Sequence, residues 1–306
     1  MDPRTAPMPR IRVWCDFSPD GVAPSEISVR WTELATEAWE RDTRELLSSA
    51  LEDRSAESPS ETAVNLEAVR GSELLVSPIP FEDYLARQDV LHSREHQSHP
   101  DRDERVDRIR SDIHVLSTYN ALVTDDYLLL GLRPKTWRGG YPQFSVPGSG
   151  YMTTEDLPVG RTGPLAPELL LRETEEELGV EAQDVAVRCL GIFEELGDET
   201  DANPALFSVL TTELDRETVS RRWRGAPDAD EFAELVWVPL DGRVVEQVLS
   251  RAESNGSLPV VIESQLDDAV SEYSLTPKTA MMLYLVGSNL LDVPLEDAVE
   301  RVVTGK

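Results

Sequence analysis

Lysine is nearly absent from this chain of 306 residues. Lys135, Lys278 and Lys306 are the only three; the other basic residues are arginines, and Lys and Arg together number 29 against 58 acids. The net charge of −29 and pI near 4.4 exclude sequence-independent binding to nucleic acid or to an anionic membrane, since a polyanion is repelled. Any anionic substrate must be met by local arginines or by a metal ion. Cysteine is scarcer still. Cys15 and Cys189, each in an apolar strand-like setting, exclude a disulfide framework and read as buried thiols. No apolar run reaches the roughly 18 residues that a membrane helix needs, and the start MDPRTAPMPR has no apolar signal-peptide core. We expect a soluble, cytoplasmic protein.

What is present is a hydrophobic content of 40%, enough for a core, and a length that suits two domains. Residues 10–17 (RIRVWCDF) have strand character, Ser18-Pro19-Asp20-Gly21 is a turn signal, and 27–31 read as a second short strand. Residues 32–51 carry Leu34, Ala38, Leu46 and Leu47 at near-helical spacing, 52–61 form a polar loop, 74–79 (LLVSPI) a strand and 81–90 a short helix. Residues 1–110 are therefore expected to form a small α+β domain with a charged linker. In that linker His92 and His96 stand at i, i+4, with His99 as a third candidate for a metal site; their polar and charged neighbours favour a solvated tether instead.

Residues 111–306 look like a second unit. Apolar runs at 115–123 and 127–133 flank Thr124-Asp125-Asp126, a hairpin signal. A short strand at 143–146 leads into Pro147-Gly148-Ser149-Gly150, strands at 185–194 and 205–212 pair about an acidic loop, and 232–240 (FAELVWVPL) is a late strand. Residues 266–303 are mostly helical, with Met281, Met282, Leu285 and Leu290 set to pack on the sheet.

The densest chemistry lies at residues 172–180, RETEEELGV. On a helix Glu173, Glu176 and Glu177 fall at i, i+3 and i+4, so three carboxylates share one face and repel by a few tenths of a kcal/mol per pair. A hard divalent cation would neutralise them. Leu170, Leu171, Thr174 and Leu178 form a separate apolar stripe that seats the helix on a core while the glutamates face outward; Gly179 stops it, and Pro167 suits its first turn.

This stretch resembles the second half of the Nudix box, which ends in Arg-Glu-apolar-x-Glu-Glu-x-Gly-apolar. Pro147-Gly148-Ser149-Gly150 is similar to the family's preceding Pro-Gly-Gly element, YLLLGLRP to its strand ending in an arginine near the active site, and FAELVWVPL to its late strand, with Trp237, Val238 and Pro239. The resemblance covers residues 114–290. It implies an α/β/α sandwich with a mixed sheet, preceded here by the small α+β domain, and hydrolysis of a diphosphate linkage with Mg²⁺ or Mn²⁺. It also implies that Glu173, Glu176 and Glu177 are metal ligands and that Arg172 braces them as a structural ion pair. The first half of the box departs from the pattern: Pro158 and Pro164 stand where the family has glycine and glutamate. A loop about eight residues longer between Gly150 and the helix reconciles the spacing, with Glu155 or Glu168 as the replacement acid.

Other candidates follow from residue type. Arg133, Lys135 and Arg138 suit phosphate oxygens, Trp137 and Tyr141 either stack on a base or cover the core, and Gly148 and Gly150 let the backbone pass close to a neighbour or a phosphate. The resemblance implies that the general base is a box glutamate (Glu176 or Glu177) or a residue outside the box, for which Glu194, Glu195, Asp198, Glu199 and Asp201 are the candidates. The expected substrate is a nucleoside diphosphate derivative or a similar small pyrophosphate. The competing expectation is a weakly active or inactive ligand-sensing protein of the same fold acting through its N-terminal domain, which could also serve a homodimer.

Overall fold

The computed structural model describes residues 10–17, 20–32, 47, 62–92, 113–134, 143–157, 162–196, 203–240 and 274–291. In chain order these form β1 (Arg10–Asp16), β2 (Ser28–Trp31), β3 (Thr62–Arg70), β4 (Glu73–Pro80), α1 (Phe81–His92), β5 (Ser117–Thr124), β6 (Tyr127–Arg133), β7 (Gln143–Ser145), β8 (Ser149–Tyr151) and β9 (Thr162–Pro164). Then come α2 (Pro167–Leu170), α3 (Arg172–Leu178), β10 (Val185–Leu196), β11 (Pro204–Thr212), α4 (Arg216–Trp223), β12 (Glu234–Pro239), β13 (Ser274–Leu275) and α5 (Pro277–Leu291). The fold is mixed α/β. Apart from Thr32 and Leu47, the residues of the helix expected over 32–51 lie outside the described residues, as do the histidines at 96 and 99.

The main sheet runs β1-β10-β11-β5-β6-β7-β13, with β8 paired to β5 and β12 to β6. It is mixed, because β11 lies parallel to β5 while β10 and β11 are antiparallel. The β5–β6 hairpin turns at Asp125 and Asp126, both at positive φ (48° and 61°), as a type I′ turn requires; aspartate tolerates that conformation better than most side chains. Strand alternation then sorts β5 between two layers. Tyr119, Ala121 and Val123 pack toward Met281, Met282, Leu285 and Val286 of α5. Leu116 and Leu122 pack with Leu170, Leu171 and Leu178 of α2 and α3.

The sequence division near residue 110 is not a division of the sheets. β1 is an edge of the main sheet, paired with β10 from Arg10↔Leu196 to Asp16↔Gly191. The second sheet, β3-β4-β2-β9, takes its last strand from beyond residue 110. Its β3 is also tied to the main sheet's surroundings, since Val64 N–H donates to Met152 O and Leu116 N–H to Val64 O. Backbone donors and acceptors left at a strand edge need partners, and here the two halves of the chain satisfy each other. β3 itself (TAVNLEAVR) lacks a strand signature in sequence; its state comes from pairing with β4 across the Gly71-Ser72 turn.

One buried carboxylate clasps β1 to the sheet. Glu194, 2% exposed, accepts from Arg12 Nη1 (3.1 Å) and Trp14 Nε1 (2.9 Å) and is hydrogen-bonded to His114 Nδ1 (3.1 Å). Burial alone would raise its pKa, but the hydrogen bonds with His114 and Trp14 and the Arg12 guanidinium outweigh it and hold the pKa below the usual glutamate value. A carboxylate whose folded pKa is depressed adds stability above its unfolded pKa of about 4.3, and that stability is lost as pH falls through the folded value. Glu194→Gln should therefore cost about 1–3 kcal/mol at neutral pH. In urea melts its deficit against the parent should shrink below about pH 4; a deficit constant with pH would contradict this account.

Candidate active site

The glutamate helix is set by a break. Pro167 opens α2, Leu171 (φ −102°, ψ 0°) interrupts it, and α3 starts at Arg172 and ends at Gly179, which adopts φ 64° and donates to Glu175 O at 2.9 Å. Leu170, Leu171, Thr174 and Leu178 are all buried, so the apolar stripe seats the helix as the periodicity predicts. At the break, the side chain of Asn120 on β5 donates from Nδ2 to Leu170 O at 2.7 Å.

Arg172 gathers the acids on its side of the helix. Its guanidinium meets Glu173 at 2.7 Å, Glu176 at 2.9 Å and Asp156 at 3.1 Å, and donates to Tyr151 O at 3.1 Å. Burial opposes its charge, but Glu173, Asp156 and Glu176 more than offset that and hold it protonated more firmly than a free arginine. The bracing role implied for Arg172 has this geometry. The acid from the longer loop is Asp156; Glu155 and Glu168 are exposed. Asp156 is buried and oriented by Thr153, whose N–H and Oγ1 donate to Oδ2 at 2.7 and 3.0 Å. The spacing Thr153-x-x-Asp156 is a capping signal that sequence reasoning passed over.

Glu177 departs from the expectation that the three glutamates face outward. Its side chain is 1% exposed, accepts from Gly148 N–H through Oε2, and faces Arg133 Nη2 at 3.4 Å through Oε1. Burial pushes its pKa up to about 8; the Gly148 N–H and Arg133 lower it, while Glu231 and Glu173 raise it further. Glu173 is likewise raised, first by burial, then by Glu176 and Glu231 against the pull of Arg172. Glu231 ends a short 3-10 turn (Ala229–Glu231) and pairs with Arg133 Nη1 at 3.0 Å. It is a fourth acid of the cluster that no local sequence signal identified. Arg133 is further fixed by Ser145 Oγ (3.1 Å) and by the Phe232 ring, 5.0 Å from its Cζ.

The glycines explain why the helix can lie so close. A Cβ on Gly150 would overlap the Glu173 carboxylate, and one on Gly148, whose φ is 85°, would overlap Thr174 Oγ1. The neighbour that both approach is the glutamate helix. Lys135, Trp137, Arg138 and Tyr141, and Asp198, Glu199 and Asp201, lie outside the described residues. Glu195 is buried, and alternation along β10 turns it with Phe193 toward the α5 layer, away from the face that carries α3. Glu194 is committed to the clasp on β1. Cys15 and Cys189 are free thiols, both raised by burial, to about 11 and about 12.

Among the described residues, no three His, Cys, Asp or Glu side chains lie together closely enough to share a metal ion as they stand. The box glutamates are instead neutralised by Arg172 and Arg133. Their chemistry nonetheless fits a hard divalent cation: the donors are all carboxylate oxygens, and Glu173 and Glu177 are held at raised pKa partly by neighbouring carboxylates. Glu173, Glu176 and Glu177 are the residues that would hold it.

No protein-family profile and no curated protein matches the sequence. Solved structures do. A NUDIX-family hydrolase from Clostridium perfringens matches at 15% identity and TM-score 0.31 over 58% of this chain and 98% of its own. A Deinococcus radiodurans protein matches at 17% identity and TM-score 0.30 over 45% and 71%, and a UDP-X diphosphatase at 13% identity and TM-score 0.26 over 83% and 95%.

Two outcomes test this geometry. In chelator-treated protein, an acid whose folded pKa is raised favours folding below its unfolded pKa, and that contribution is lost as pH rises through about 8. Glu177→Gln should therefore match the parent's unfolding midpoint below about pH 4 and exceed it by a margin that grows up to about pH 8. Gly148→Ala, which meets both a positive φ and the Thr174 hydroxyl, should destabilise by about 1–3 kcal/mol, and Gly150→Ala by less, because the Glu173 carboxylate can swing aside. Denaturant titrations rank the two.

Proposed function

We propose that this chain is a divalent-metal-dependent hydrolase of the Nudix type, cleaving a diphosphate linkage in a nucleoside diphosphate derivative or a similar small pyrophosphate. The observation that carries the reading is the crowding of Glu173, Glu176 and Glu177, from one seven-residue helix, with Glu231 around two arginines beside the Gly148 turn. Such crowding costs stability unless cations offset it, and a protein with no use for the charge would be better served by neutral side chains.

In this reading Glu173, Glu176 and Glu177 hold Mg²⁺ or Mn²⁺, which when bound supplies positive charge at the phosphoryl oxygens and makes an attacking water more acidic. Arg172 and Asp156 keep Glu173 and Glu176 in place. Arg133, 40% exposed and held between Glu177 and Glu231, offers its remaining donor capacity to a phosphate oxygen. Glu231, 43% exposed and outside the glutamate helix, is reached by solvent and takes the proton of the attacking water at Oε1 or Oε2. The water oxygen bonds to phosphorus, the bridging P–O bond breaks, and the displaced phosphate leaves with the electron pair. Glu195, on the other face of the sheet, has no part in it.

The test is product release from nucleoside triphosphates, dinucleoside polyphosphates, nucleotide sugars, ADP-ribose, NADH and prenyl diphosphates with Mg²⁺ or Mn²⁺. Turnover of at least one, reduced about 100-fold (about 2.7 kcal/mol) in Glu176→Gln, is the expected result. No turnover of any, with a nucleotide still bound, would replace the hydrolase with a ligand sensor.

A further inference from the structure

Asn120 is a wholly buried amide at the centre of β5, and its bonds lead to the glutamate helix. It lies on β5 between Thr118 and Leu122 on the face toward α3 and is 0% exposed. Nδ2 donates to Leu170 O at 2.7 Å, at the break between α2 and α3, and lies 3.4 Å from Thr174 Oγ1. The other atom of the amide, Oδ1, is buried without a hydrogen-bond partner among the described residues. An unsatisfied buried oxygen is a cost that a leucine of similar size would avoid, so the position is explained by what the donor does.

The donor's two contacts bracket the helix start. Leu170 O fixes where α2 ends, and Thr174 backs directly onto Gly148, where a Cβ would overlap its hydroxyl. Gly148 N–H in turn holds Glu177. We infer that Asn120 is a positioning residue of the site: it sets the height of α3 against the Gly148 turn and thereby the place of the Glu177 carboxylate. Its consequence for metal binding rests on the proposed function; its effect on Gly148 does not.

The test uses the full chain, free of metal and labelled with ¹⁵N, as parent, Asn120→Leu and Asn120→Ser. The serine hydroxyl is too short to reach Leu170 O, so the second variant covers the case in which the first fails to fold. In either variant that folds, the Gly148 amide resonance should shift and its hydrogen exchange quicken by about tenfold or more, and Mn²⁺ should bind about 10–100-fold more weakly, as when an outer-shell support is lost. A residue serving only the core would change the unfolding midpoint and leave both readouts alone. A folded variant with the Gly148 amide unmoved and Mn²⁺ affinity within about twofold would overturn the inference. Lack of turnover in the parent would sink the hydrolase and leave the Gly148 result standing.

Discussion

Everything about this site follows from one carboxylate being held where water cannot reach it. Glu177 lies at the end of a short acidic helix, against a backbone N–H and an arginine, with Glu173 and Glu231 close enough to raise its pKa. Desolvating a carboxylate among other carboxylates is unfavourable, and the surroundings are built to offset it. Arg133 covers one side of the cluster and Arg172 the other, each shared among several acids. Gly148 and Gly150 lack the side chains that would hold the turn away.

Strands of both sheets surround this arrangement. β6 delivers Arg133 and β7 delivers Ser145 beneath it, while β8 lays Gly150 and Tyr151 along the helix. The hairpin at Asp125-Asp126 fixes which face of β5 and β6 meets α3. The N-terminal segment is part of the same framework: β1 extends the main sheet through the Glu194 clasp, and β2 covers β9 just ahead of the glutamate helix. That placement ties β1 and β2 into the framework around the glutamate helix.

Much of this was legible from residue order. The helix at 172–178, its stop at Gly179, its apolar stripe, the hairpin, and the strands at 10–16, 74–79, 185–194, 205–212 and 234–239 each depend on neighbours within a few residues, and periodicity and turn chemistry report such neighbours. Arg172 as the brace came from the resemblance to the box rather than from periodicity, and it lies one and four residues from two of the acids it meets. β3 was not, because its composition carries no strand signal and its partner strand decides its state.

The sequence by itself therefore determined the local chemistry: three carboxylates on one helical face, an arginine among them, and a small-residue turn upstream. Tertiary structure alone decided which acids and cations join them. Asp156 rather than Glu155 or Glu168 meets Arg172, Glu231 joins from more than fifty residues away, and Asn120 reaches the helix from another strand. Adjacent glutamates 194 and 195 part to opposite faces of β10 because strand side chains alternate, and only the pairing of β10 with β1 and β11 shows which face is which. Contacts of that kind depend on register between distant segments, and no period within either segment encodes it.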